Sequence, residues 1–332
     1  MKRAQWHGTL AVLALLALGC ASLLPGEPER VAVYLTFGWE PGLEMDVTTK
    51  RTWTQKSPER IERSATTRSR LRVEDAGNRS DLLVRRTDYA VTLGDDFEAV
   101  ERGALVEGLP RVVLVEPDVV VTREGHFARI LDPAAFNAKV WGFVRDSLPW
   151  RIVHDPLQER IMTRQRAQLI EKLTAVSRGD LASSWNALAG TWSGAGLWTG
   201  SPIERTAVLP MELLPGQTVT WSFVHTARRI VPCSRRGSER TCVELEIRAA
   251  PDAGELERAV RRARNYGDPR SLGPPVVESI EVENLFRLTT EPDGLHPHAA
   301  FARRHHRIGY SRQKLTWELE ETDEIETTYA YR

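Results

Sequence analysis

Four histidines stand close together, His296, His298, His305 and His306, and they are the first place to look for a metal. A site would need three or four donors converging on one point. His296 and His298 are two apart and would share a strand face, yet Pro297 between them argues against a regular strand there. His305 and His306 point to opposite faces. No carboxylate falls at a ligand spacing beside them, and Arg303, Arg304 and Arg307 alternate with them as on a solvated edge. We therefore read no metal and no cofactor into this cluster.

Among the carboxylates, Glu321 and Asp323 stand out because they share parity with Leu319 and Ile325 and so interrupt an apolar face. Arg51, Arg63 and Arg85 interrupt the inward parity of their own strands in the same way. Two readings stay open. Either the strands outrun the core and these residues lie at a rim, or they form a polar patch in a cleft, where arginine meets a ligand carboxylate or phosphate through paired hydrogen bonds. A glycosidase pair of Glu321 and Asp323 has nothing else in its favour. Nucleophile motifs fail: Thr191 stands where a nucleophile elbow around Ser193 needs glycine. Gly194, Gly196 and Gly200 do not fit the dinucleotide spacing, and a tight loop anchored by Trp192 and Trp198 is the plainer reading. The chain is read as non-enzymatic, with no catalytic residue.

Composition restricts the partners. The 332 residues carry 45 Lys and Arg against 45 Asp and Glu, so bulk charge gives no reason to expect nucleic acid. At 41% hydrophobic and 27% charged the chain is ordinary globular material.

The N-terminus says where the protein goes. Lys2 and Arg3 precede an apolar run from Leu10 to Leu18, far short of the roughly 20 residues that cross a bilayer, and then Gly19 and Cys20. This is a signal peptide over residues 1–19. Leu16-Ala17-Leu18-Gly19-Cys20 resembles the lipobox of bacterial lipoproteins, with Ala17 where leucine is commonest. The resemblance implies that Cys20 becomes the lipidated first residue of the mature chain and attaches it to a membrane. An ordinary secretory signal with a chance Cys20 is the alternative, and either way the chain is exported. By the same resemblance, Ala21 in place of Asp implies an outer-membrane lipoprotein of the cell envelope, facing the periplasm. Residues 20–30, with Pro25, Gly26 and Pro28, then form a tether.

With Cys20 assigned to lipid, Cys233 and Cys242 remain as a pair. A polar loop containing Gly237 separates them and strand-like runs flank them, Val219 to Val231 and Val243 to Arg248, so a disulfide at the base of a hairpin is expected. A metal site would want shorter cysteine spacing and further ligands.

These residues must be positioned by strands. Period-two alternation runs from Leu43 to Thr54, Ile61 to Val73 and Leu83 to Leu93, and with Val31 to Phe37 in front predicts a four-stranded antiparallel meander. Arg111 to Glu116 and Asp118 to Arg123 add short strands. The period changes over Pro133 to Asp146, Pro156 to Val176 and Asp180 to Leu188, which read as helices. Ala253 to Tyr266 is a surface helix, and Leu315 to Tyr331 is the clearest strand. The fold class is α+β: residues 31–332 form one domain with a strongly curved antiparallel sheet or open β-barrel. A helical insertion at about 133–190 packs on its concave face.

One face is expected to carry Met45, Val47, Trp53, Leu83, Tyr89, Ile280, Val282, Phe286, Leu315, Trp317 and Leu319. The candidate ligand cavity on it takes Trp53, Tyr89, Phe286, Trp317, Arg51, Arg85, Glu321 and Asp323. By strand pattern and compartment the architecture resembles the lipoprotein carriers of the bacterial envelope, the LolA and LolB class, which shelter acyl chains. The stretch from Ser184 to the cysteine hairpin is similar to uncharacterised exported bacterial lipoproteins. The expected function is binding of an apolar or amphipathic ligand, a lipid or acyl chain, with a scaffold for an envelope protein partner as the alternative and a hydrolase third.

Overall fold

The computed structural model describes residues 30–77, 81–94, 109–113, 115–147, 156–179, 181–211, 214, 216–233, 240–266, 275–312 and 315–332. The expected signal peptide, Cys20 and the expected tether up to residue 29 lie outside the described residues. The strands before the helices are β1 (Ala32–Tyr34), β2 (Thr36–Phe37), β3 (Glu44–Ser57), β4 (Ile61–Asp75), β5 (Asp81–Leu93), β6 (Val119–Thr122) and β7 (Phe127–Ile130). Helices α1 (Pro133–Ser147), α2 (Pro156–Gly179) and α3 (Leu181–Trp185) follow, the last running into a π-helical turn at Asn186–Gly190. Then come β8 (Gly196–Trp198), β9 (Pro202–Pro210), β10 (Thr218–Pro232), β11 (Thr241–Pro251), α4 (Ala253–Tyr266), β12 (Val276–Thr290), β13 (Asp293–Gly294), β14 (Pro297–Arg312) and β15 (Leu315–Tyr331). No described helix is long and apolar enough to cross a membrane.

Eleven strands make one antiparallel sheet in the order β7-β6-β5-β4-β3-β15-β14-β12-β11-β10-β9. Its end strands β7 and β9 do not pair, so the sheet is open. Neighbours follow chain order, apart from short β13, except where β3 meets β15 and sets Met45 opposite Tyr331. The alternation that marked β3 and β15 as strands also aligns their buried parities in this pairing.

Three expectations change here. Residues 31–37 do not begin the meander: β1 pairs with β8, and β2 pairs in parallel with β13. Alternation fits such a ribbon as well as a sheet strand, because Val33 and Leu35 are buried in either case. Residues 109–112 are helical, so Arg111 to Glu116 is not a strand. Pro297 does begin a strand, at the first position of β14, where its missing N–H costs no ladder bond. That strand lies between β12 and β15, so His305 and His306 occupy the sheet interior and not a solvated edge.

All three apolar clusters use one face of the sheet, called here the inner face. The central cluster joins Met45, Val47, Leu71 and Val84 from one half of the sheet to Ala227, Leu245, Ile247 and Leu288 from the other. Val33, Leu35, Trp39, Trp185, Trp192 and Leu197 fill the space between them. The second cluster sets Phe136, Val140 and Phe143 of α1, Leu169 and Leu173 of α2, and Leu109, Val112, Val113 and Val115 against Trp53 and Ala65. The third sets Leu256, Ala259 and Val260 of α4 against Val219, Ile280 and Ile308. Thus α1 and α2 cover the β3 to β5 sector while α4 covers the far half.

Candidate functional site

Between these clusters a polar row crosses the inner face. The ladders place Trp53, Asp323, Arg304, Asn284 and Ala249 opposite one another along β3, β15, β14, β12 and β11. The next row toward the α1 and α4 end holds Gln55, Glu321, His306 and Val282. Parity along β15 predicted that Glu321 and Asp323 share a face, and they do.

The arginine expected to wait for a ligand is already engaged. Arg51 donates from Nε to Asp323 Oδ1 at 2.9 Å and from Nη2 to Oδ2 at 2.6 Å, the two-point geometry of a guanidinium on a carboxylate. Glu321 is buried, and Arg111 Nη1 donates to its Oε1 at 3.1 Å. His306 Nε2 lies 2.7 Å from Oε2 and, against an ionised carboxylate, is the donor. The Arg111 guanidinium also stacks 4.2 Å over the Trp53 ring. Burial pushes the Glu321 carboxyl up, but the hydrogen bond from His306 and the charge of Arg111 outweigh it and hold the group below the usual carboxylate range. Burial and the Glu321 charge together push the Tyr310 phenol up.

Arg85 is not in this site. Arg68 pairs with Ala90 and Arg70 with Thr87, so Asp88 and Tyr89 together oppose Ser69. This bulge, with Asp88 at φ 55°, switches the inward parity of β5 from Leu82, Val84 and Arg86 to Tyr89, Val91 and Leu93. Arg85 and Leu83 therefore lie on the opposite face, Arg85 beside Glu74 at 3.1 Å, and Arg86 takes the inward place beside Glu116.

The expected cavity residues are also dispersed. Trp53 and Tyr89 pack with the second cluster and Phe286 with the central one. Trp317 stacks on Tyr310 with centroids 5.7 Å apart, and Leu315 is exposed at the hairpin tip. The hollow beneath the helical cover, lined by Thr49, Arg51, Arg86, Tyr89 and Glu116, holds about 20 Å³, which is room for a water and not an acyl chain.

A second hollow of about 180 Å³ lies between the β8 segment and the β9 edge, against Trp192, Leu197, Ile203, Arg205 and His225. The His225 ring meets Trp192 edge-on at 5.6 Å, and burial and the Arg205 charge hold its pKa down. Trp192 is buried as expected, its Nε1 donating to Ala187 O at 2.7 Å, but Trp198 is exposed and anchors nothing.

His296 and His298 lie at the other end of the sheet, while His305 Nδ1 is 3.1 Å from Thr322 Oγ1 in mid-strand. Glu291 accepts from His298 Nε2 at 3.0 Å and from Arg240 at 3.1 Å, with His296 3.6 Å away. His298 also lies near Cys233 and Cys242, but those sulfurs are bonded to each other, as the hairpin predicted, and offer no thiolate to a metal.

Aromatic surface thus lies on either side of the polar row on the inner face. Asn284 Oδ1 and Trp221 Nε1 are buried without a hydrogen-bond partner among the described residues. Sequence reasoning singled out His306 but set it aside as part of a solvated edge, and it missed Arg111, Asn284 and Arg86. The hairpin register would have paired His306 with Glu321, since Arg312 opposite Leu315 fixes every later pair.

No protein-family model matches the chain, and no curated protein matches it. A solved lipovitellin structure, described in terms of lipid–protein interactions, is similar over 87% of this chain and 25% of that one, at 8% identity and a TM-score of 0.34. The chain spans about a quarter of that protein's length.

Proposed function

We propose that this is an exported envelope lipoprotein, held to a membrane by lipid on Cys20, whose sheet curves around the central cluster and binds an amphipathic ligand across the polar row. The observation that supports ligand binding is the buried, unpartnered Asn284 Oδ1 in the middle of the inner face. An unmet buried acceptor costs about 1–3 kcal/mol, and a ligand hydroxyl or amide N–H placed on it would relieve that cost. Half-buried Phe223 and Phe286 stand beside it for the apolar part of the same molecule. Nothing in this reading needs a catalytic residue.

Native mass spectrometry of protein taken from its own envelope tests the reading by looking for copurified lipid. A fluorescent fatty-acid probe should bind in the micromolar range, and Asn284→Leu should weaken it about tenfold. No copurified ligand and no probe binding would remove the reading. The alternative, a scaffold for a protein partner, is favoured by one observation. All nine residues of the edge strand β9 are exposed, leaving a free ladder for another strand.

A further inference from the structure

We infer that the β1–β8 ribbon is a membrane-docking surface that lays Tyr34 and Trp198 into the interfacial layer of an anionic bilayer. The inference rests on the reading of Cys20 as the lipid anchor.

The ribbon has two unlike faces. Val33 and Leu197 are opposite one another and point into the central cluster. On the other face Ala32 stands opposite Trp198 and Tyr34 opposite Gly196, which makes Tyr34 and Trp198 diagonal neighbours. Tyr34 is 74% exposed, Trp198 56% and adjacent Val31 43%. Gly196 is what lets the Tyr34 ring lie across the ribbon, because a Cβ there would stand 3.2 Å from its Cε1. Ile203, also exposed, borders the same place across the hollow that Gly196 and Leu197 line. Tryptophan and tyrosine with an apolar body and a polar tip are the side chains that favour the bilayer–water boundary.

Chain length says what covers this face. Cys20 precedes Val31 by 11 residues, which can span about 40 Å at most. The 17 residues of β15 alone run about 56 Å, so a lipid on Cys20 keeps the ribbon within less than one strand length of the membrane. Charge agrees with that partner. Arg30 precedes the ribbon and Arg205 lines the hollow beside Gly196, both are exposed, and neither makes an ion pair among the described residues. Cations flanking an aromatic patch suit a phospholipid surface carrying negative charge.

The test couples the mature chain through Cys20 to a maleimide phospholipid in vesicles of phosphatidylethanolamine and phosphatidylglycerol. Cys20 is free for this because the other two of the three cysteines are joined. The vesicles carry a lipid with a nitroxide just below the headgroups. Nitroxide should quench part of the tryptophan emission, and Trp198→Phe should lower the quenched fraction at least twofold. Tyr34→Ser should weaken the docking and raise acrylamide quenching of Trp198 in the anchored protein while leaving thermal unfolding unchanged.

Equal quenching in the wild type and Trp198→Phe would place Trp198 in water and overturn the inference. So would a Trp198 untouched by nitroxide but shielded in a species of doubled mass, since the ribbon would then be a contact between two copies. Because the anchor is supplied chemically, these outcomes do not depend on lipidation in the cell. Mass analysis of the native N-terminus tests that separately.

Discussion

His306 and Glu321 face each other across the β14–β15 hairpin as backbone partners, and their side chains meet at 2.7 Å. The carboxylate is buried and titrates below its ordinary range in the fold, so it contributes stability that is present above its unfolded value near 4.5. That contribution is lost as pH falls through the lower folded value. Urea unfolding at pH 7 and at pH 3 should therefore show a smaller loss on acidification for Glu321→Gln than for the wild type. At pH 7 the substitution should cost about 1–3 kcal/mol. An unchanged pH dependence would place the acid sensitivity elsewhere.

Trp53 and Trp317 should separate in a stability measurement. Trp53 is 7% exposed beneath the helical cover, and Trp53→Ala should cost about 3–5 kcal/mol. Trp317 is half-buried and holds mainly its stack on Tyr310, so Trp317→Ala should cost about 0.5–1.5 kcal/mol. Equal losses would mean that Trp317 is as tightly packed as Trp53.

The bulge in β5 gives a backbone prediction. Asp88 sits at φ 55° and pairs with Arg70 at 3.2 Å. Asp88→Gly should be tolerated within about 1 kcal/mol, because glycine reaches that conformation freely. Asp88→Val should cost about 2 kcal/mol or more, because a β-branched residue resists it. Deleting Asp88 should cost less than Asp88→Val, because it removes the extra residue and restores strict alternation with Arg86, Tyr89, Val91 and Leu93 all still inward. A deletion that destabilises more than Asp88→Val would mean that the bulge is needed for more than its parity switch.

The Cys233–Cys242 bond closes a loop of about ten residues, for which the chain-entropy model gives roughly 2.5–3 kcal/mol. Peptide mapping without reductant should recover the two halves joined. The double serine variant should unfold at a measurably lower temperature. An unchanged midpoint would mean that the unfolded chain is already restricted there.

Much of this arrangement follows from parity, and the exceptions have physical causes. Glu321, Asp323 and Arg51 share a face as alternation implies, because the β3–β15 ladder runs without a shift from Glu321 to Tyr331. Arg85 and Leu83 break the rule because one residue in a left-handed conformation inverts every later position of β5, and no count of apolar residues shows where that happens. The disulfide was legible from spacing and strand flanks once the lipobox resemblance had set Cys20 aside. Arg111 was not, since its role comes from a helical turn docked on Trp53, a long-range contact with no local signature. Nor was the fate of residues 31–39, whose alternation suits a meander and a core-filling ribbon equally.

That ribbon and the segment after it set a timetable. Val31 N–H donates to Thr199 Oγ1, 168 residues later, and Trp39 Nε1 donates to Leu295 O, 256 residues later. At a synthesis rate of about 5–20 residues per second, the side chain of Trp39 waits roughly 13–50 s before its partner exists. The central cluster, built around this early segment, is therefore among the last parts of the chain that can form. A nascent chain halted before β13 would hold its tryptophans and its β3 edge in the open, dependent on a chaperone for as long as the delay lasts.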